Sequence, residues 1–197
     1  MTSEKRLPLI RTLSTVSALM SVVATADVED NPEKTVYFGE THVHTAYSLD
    51  AYLGGTRLTP SDAYRHARGE AVVVNGKPSR LRRPLDFAAV TDHAEYLGEM
   101  FAAQHPGAPG ADAPEIQQLV SMTDPAERRE WFLKYVIGNS RGGNPEHLPF
   151  YPGDAVAASG WRVLVDAAEA HNAPGEFTTF AAYEWSSAPK GANLHRN

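Results

Sequence analysis

The stretch Gly39-Glu40-Thr41-His42-Val43-His44-Thr45 places two imidazoles one residue apart. On an extended backbone, side chains two positions apart point the same way. His42 and His44 can therefore face one metal ion, or two neighbouring ions, as zinc–nitrogen bonds of ~2.0–2.1 Å require. A second stretch, Val90-Thr91-Asp92-His93, again sets a histidine just past a short apolar run. Asp92 also has a purely structural use, since with Glu95 three residues on it fits a helix capping box. That use leaves His93 unexplained. A third stretch, Tyr183-Glu184-Trp185, ends an apolar run in a carboxylate. Burying that charge alone is costly, and a metal or an arginine would serve as its partner. Leu194-His195 adds a fourth candidate imidazole.

These groups need elements that bring them to one place. A strand is expected over residues 35–39, rich in β-branched and aromatic side chains. A helix is expected over 58–69, with Thr59 as N-cap, Pro60 at the first helical position, Asp62 in the first turn and Gly69 at the exit. Residues 75–83 read as a basic loop, and 86–90 as a buried strand. Residues 105–114 read as a loop rich in Pro and Gly. A second helix should run from Asp124-Pro125 to about Ile137, a loop should cover 138–153, and a third helix 161–171. An apolar strand over 177–183 then reaches Glu184. Strands separated by helices and apolar on both faces argue for a parallel α/β sheet or barrel. In such folds sites assemble at the C-terminal strand ends, where the insert between the second and third strands would also lie.

Composition narrows the chemistry. The chain has 197 residues, 42% of them hydrophobic, and a formal net charge of −6. That charge argues against a nucleic-acid groove built on phosphate neutralisation. There is no cysteine, so any metal must be held by His, Asp and Glu. Residues 1–26 have a basic start, a short apolar middle and Ala24-Thr25-Ala26 before Asp27, the pattern of a secretory signal. The apolar run is too short to span a bilayer. Residues 27–34 read as an exposed linker, so the expected location is periplasmic or secreted, with the cytoplasm as the alternative.

The His-x-His, the Thr-Asp-His and the strand-terminal Glu followed by a His resemble, in that order, the opening motifs of the PHP (polymerase and histidinol phosphatase) superfamily. Residues 38–45 and 182–187 look most like an uncharacterised, often exported branch of it, a domain-of-unknown-function group. The resemblance implies His42, His44, Asp50, His93, Glu184 and His195 as ligands of two or three divalent ions (Zn, Mn or Fe). Glu184 would be the bridging carboxylate. It places Asp92 and Glu40 behind the ligands, with Asp92 orienting His93 or a ligated water. The implied fold is α/β, a partial distorted (β/α)7 barrel with a helical and loop insert between the second and third strands. Residues 35–197 would form the N-terminal part of that domain. Ligands that the superfamily draws from later strands have no counterpart here. The chain is therefore expected to be a fragment, inactive by itself.

The implied activity is metal-dependent hydrolysis, foremost of a phosphoester, by a metal-bridged hydroxide acting on an anionic small molecule. Two other readings stand beside it. An amidohydrolase-like barrel also begins with His-x-His, but usually wants a bridging lysine. A non-catalytic periplasmic module would use the same scaffold for metal binding alone. His66, His105, His147 and His171 are assigned structural places in helices and loops. Lys77, Arg80, Arg82 and Arg83 could meet an anionic substrate, though such a run is more often a solvated loop.

Overall fold

The computed structural model describes residues 35–141, 147–187 and 194–197, and residues 36–197 form a single compact unit. The signal assigned to 1–26 and the linker assigned to 27–34 lie outside the described residues. The centre of the unit is a three-stranded sheet, ordered β1 (Gly39–Val43), β4 (Phe87–Val90), β5 (Thr178–Ala181). Both pairings are parallel. The connections that make a parallel sheet possible carry helices. Between β1 and β4 lie α1 (Leu49–Leu53), α2 (Pro60–Ala67) and a hairpin of β2 (Val72–Val74) with β3 (Lys77–Ser79). Between β4 and β5 lie α3 (Leu97–Gln104), α4 (Pro114–Ser121), α5 (Pro125–Phe132), a π-helical turn Leu133–Ile137, α6 (Gly138–Arg141) and α7 (Asp154–His171). A second small ribbon pairs β6 (Trp185–Ser187) with β7 (Leu194–Arg196) antiparallel. The architecture is mixed α/β, and no sheet closes into a barrel among the described residues.

Local chemistry explains where these elements begin. The Thr59 hydroxyl accepts from the Asp62 N–H while Asp62 reaches back to Thr59, a complete capping box with Pro60 at the first position. Asp124 caps α5 through the Ala126 N–H. Asn75 and Gly76 both have positive φ, the conformation that two-residue hairpin turns require. The 75–83 stretch is therefore a hairpin turn, a strand and only then a loop. Lys77, Arg80, Arg82 and Arg83 are exposed on it, and the Arg83 guanidinium lies 4.5 Å from the Phe38 ring centroid.

Three expected boundaries move. The first strand starts at Gly39 rather than Thr35, so the His-x-His motif begins inside the ladder. A Cβ at Gly39 would fall 2.3 Å from the Phe87 ring, and the missing side chain is what lets β1 approach β4. The last long helix begins at Asp154, ahead of Trp161. Gly160 interrupts its apolar pattern, and it does so because Leu97 of α3 packs where its Cβ would stand, at 2.9 Å. The helix after motif two begins at Leu97, with Tyr96 at its cap in the left-handed region; Asp92 and Glu95 do not form its capping box.

Burial divides into two main clusters. Tyr64, Ala67, Ala88, Val90, Ala167 and Phe177 pack α2 and α7 onto the sheet. Ala46, Leu49, Tyr52, Met100, Leu119 and Trp131 join the segment leaving β1 to the insert helices. The insert is thus anchored on the chain that follows the first motif, beyond the C-terminal end of β1.

Candidate metal centre

The sheet itself delivers the donors. The β4–β5 register that pairs Phe87 with Thr178 and Val90 with Ala181 continues, after a short gap, to an isolated parallel bridge between His93 and Glu184. Backbone bonds from Glu184 N to Asp92 O (3.1 Å) and from Ala94 N to Glu184 O (2.8 Å) hold that bridge. On the other side, β1 carries one extra residue between Glu40 and Val43 relative to β4. Such a bulge re-aims side chains locally. Here it leaves His42 and His44 convergent, with their Nε2 atoms 3.1 Å apart.

The convergence point is Glu184, only 1% exposed. Its Oε2 lies 3.1 Å from His42 Nε2, 2.6 Å from His44 Nε2 and 3.9 Å from His93 Nε2. Its Oε1 lies 2.5 Å from His195 Nδ1. Asp50, in the first turn of α1, lies with Oδ1 3.1 Å from His44 Nδ1 and Oδ2 3.6 Å from His93 Nε2. All six side chains singled out as ligands thus meet in one place. They fall into three overlapping groups able to hold a cation: His42, His44 and Glu184; His44, Asp50 and His93; His93, Glu184 and His195. The donor set fits a divalent ion. Bonds of ~2.0–2.1 Å in tetrahedral geometry separate ligand atoms by about 3.3 Å, and the separations above bracket that value.

Charge is balanced inside the cluster. Burial alone would raise the Glu184 carboxyl, but the fields of His93, His44, His195 and His42 outweigh it and hold it below its ordinary range. Burial opposes a charge on His93. Asp50 and Glu95, with Glu184 beyond, overcome it and raise the imidazole to about 10. His44 is likewise raised, against burial, chiefly by Asp50. Burial also works against the Asp50 charge, yet His44, His93 and Ser48 together keep that carboxyl well below the carboxylate range. Protons held by His44 and His93 offset the carboxylate charge, and an ion binding there must displace those protons.

Supporting side chains differ from expectation in one respect. Asp92, fully buried, does not touch the His93 ring. Its Oδ1 accepts from the Thr45 N–H at 2.5 Å and its Oδ2 from the Thr45 hydroxyl at 2.6 Å. Burial pushes its carboxyl up to about 6 against those two bonds. Asp92 therefore ties motif two to the chain leaving motif one, and acts on the centre through that loop. Glu40 accepts from the N–H groups of Thr41 and His42, which steadies the bulge that carries His42. Removing Asp92 strands two buried donors at roughly 1–3 kcal/mol each. Asp92→Ala is expected to lose on the order of 3 kcal/mol in denaturant unfolding, and Thr45→Ala, which removes the hydroxyl donor to Asp92 and the acceptor of the Tyr47 N–H but keeps the Thr45 N–H bond to Asp92, is also expected to destabilise.

Residue type and spacing did not reveal three further groups. The Ser48 hydroxyl donates to Asp50 Oδ1 (2.7 Å), lies 2.9 Å from His44 Nδ1 and accepts from the His93 N–H (3.2 Å). It joins motif one to motif two. Ser186 Oγ lies 3.1 Å from His93 Nδ1 and 3.2 Å from His195 Nδ1. Glu95 lies beside His93 from the far side. Glu95 reads in sequence as a capping-box residue and Ser186 as part of the 182–187 stretch, and nothing in the spacing of the three marks them as partners of the imidazoles. The remaining histidines stay outside: His66 meets Ser79, His171 meets Ser61, His105 stacks on Phe101 and His147 on Tyr151. No helix among the described residues is long and apolar enough to cross a membrane.

Residues 31–197 match the family described as "Protein of unknown function (DUF3604)", and the chain belongs to that family. No curated protein and no solved structure matches it.

Proposed function

We propose that the chain is a metal-dependent hydrolase of the PHP kind acting on an anionic small molecule, foremost a phosphoester. The observation that carries this reading is the approach of three imidazole Nε2 atoms to one oxygen of a buried carboxylate whose other oxygen meets a fourth imidazole. His42, His44 and His93 would hold metal through Nε2, His195 through Nδ1, Asp50 through Oδ2 and Glu184 through both oxygens. Divalent zinc, manganese or iron bound there supplies Lewis-acid polarisation of substrate oxygens and a nucleophile at neutral pH. The chain's own contribution is placement. Asp92 and Thr45 fix the loop, Ser48 locks Asp50 against His44, and Glu184 sits at the buried base. His42, Asp50 and His195 are the more exposed members, so substrate would approach over them.

Metal analysis of the purified protein, with a panel of phospho-, sulfo- and amide esters, tests this. Bound divalent metal is expected, reduced in His42→Ala, and any turnover on the panel should favour phosphoesters and fall in the same variant. Undiminished metal in that variant would overturn the ligand assignment. Metal binding without turnover on any ester would instead leave a binding module.

A further inference from the structure

We propose that Glu95 is a positioning residue for this centre, holding the His93 ring so that Nε2 rather than Nδ1 faces the other donors. The inference rests on the metal-centre reading above. Glu95 Oε1 accepts from the Ser186 N–H at 2.9 Å, which fixes the carboxylate against β6. Its Oε2 is sealed from solvent and has no hydrogen-bond partner among the described residues. The ring nitrogen facing that oxygen is His93 Nδ1, at 3.6 Å. Nε2 of the same ring points the other way, toward Asp50 and Glu184.

A sealed carboxylate oxygen without a donor is costly to keep. A modest turn of the His93 ring brings an Nδ1–H within hydrogen-bonding reach of it. With its proton on Nδ1, the ring leaves the Nε2 lone pair free to ligate. This is the carboxylate–histidine–metal relay that fixes ring orientation and raises ligand basicity. His44 has the equivalent service from Asp50 and Ser48 on its own Nδ1. For His93, Glu95 supplies the charge, and Ser186 Oγ, 3.1 Å from the same nitrogen, supplies a neutral partner.

Cobalt(II) titration of the full chain, followed by its visible ligand-field bands, tests the assignment. Glu95→Ala is expected to weaken cobalt binding ~10–100-fold, the usual loss for a ligand's outer partner, and to shift the bands. Glu95→Gln keeps a single acceptor oxygen, for which His93 Nδ1–H competes with the Ser186 N–H, and is expected to retain the wild-type bands with a loss of affinity smaller than that of Glu95→Ala. Wild-type affinity and bands in Glu95→Ala would overturn the proposal. So would equal losses in the two variants with unchanged bands, which would mean a merely structural role. Should Glu95→Ala fail to fold, Glu95→Gln decides by itself: affinity equal to wild type overturns the proposal. A wild-type chain that binds no cobalt would refute the metal centre itself, an outcome distinct from all of these.

Discussion

Glu184→Gln is expected to abolish stable metal binding, with a loss larger than the ~10–100-fold that removal of an outer partner costs. The reason is geometric. Each of the other donors reaches the cluster from one side, whereas Glu184 touches imidazoles from motif one, motif two and β7 at once. The amide keeps the size and loses both the charge and one acceptor oxygen. Thermal unfolding reads the effect directly. Metal at a hundredfold excess over its Kd stabilises a folded chain by ~2.7 kcal/mol. A domain of 150–250 residues gains about 2–4 °C per kcal/mol, so wild type should melt about 5–11 °C higher with metal than without. The variant should show no such shift. In metal-free buffer the two proteins should melt close together, because the substitution removes a buried charge along with its contacts to the surrounding imidazoles. A metal-induced shift of wild-type size in Glu184→Gln would exclude the bridging role.

The second large effect lies away from the cluster, at Glu99 on α3. This carboxyl is 1% exposed. Its Oε1 accepts from the Leu148 N–H at a long 3.4 Å, and its Oε2 has no hydrogen-bond partner among the described residues. Burial raises it from 4.5 to about 7. An acid whose folded-state value is raised binds its proton more tightly when folded. Its stabilising contribution is therefore complete below pH 4.5, falls as pH rises through 7, and is level above that. At ~1.36 kcal/mol per pH unit the loss is on the order of 3 kcal/mol. Glu99→Gln keeps an acceptor for Leu148 and cannot ionise. Unfolding free energies at pH 4 and pH 8 should show the variant gaining on wild type by that amount between them. A difference that does not change with pH would mean that Glu99 is paired or solvated. Asp92, raised in the same direction, is common to both proteins and cancels in the comparison.

Much of the centre was legible in the linear chain, and the reason is strand geometry. His42, His44, His93 and Glu184 stand at or just past the ends of short apolar runs, and parallel strands bring their C-terminal ends together. The absence of cysteine restricted the donor types. The caps at Thr59 and Asp124 were legible too, because a cap is satisfied within a few residues of itself. What could not be read depended on partners far apart in sequence. Asp92 looks like a helix cap until Thr45, forty-seven residues earlier, takes both its oxygens. Asn75-Gly76 was a readable hairpin signal that the surrounding basic residues obscured.

The sequence by itself determined which donors this protein owns and the order in which its strands deliver them. Only the tertiary structure decided how they face one another. The extra residue in β1 aims His42, the β4–β5 register sets His93 beside Glu184, and Ser48, Ser186 and Glu95 close around the imidazoles. Donor identity is a property of single residues, whereas register and bulge placement follow from packing two strands together, as Gly39 does when it admits the Phe87 ring.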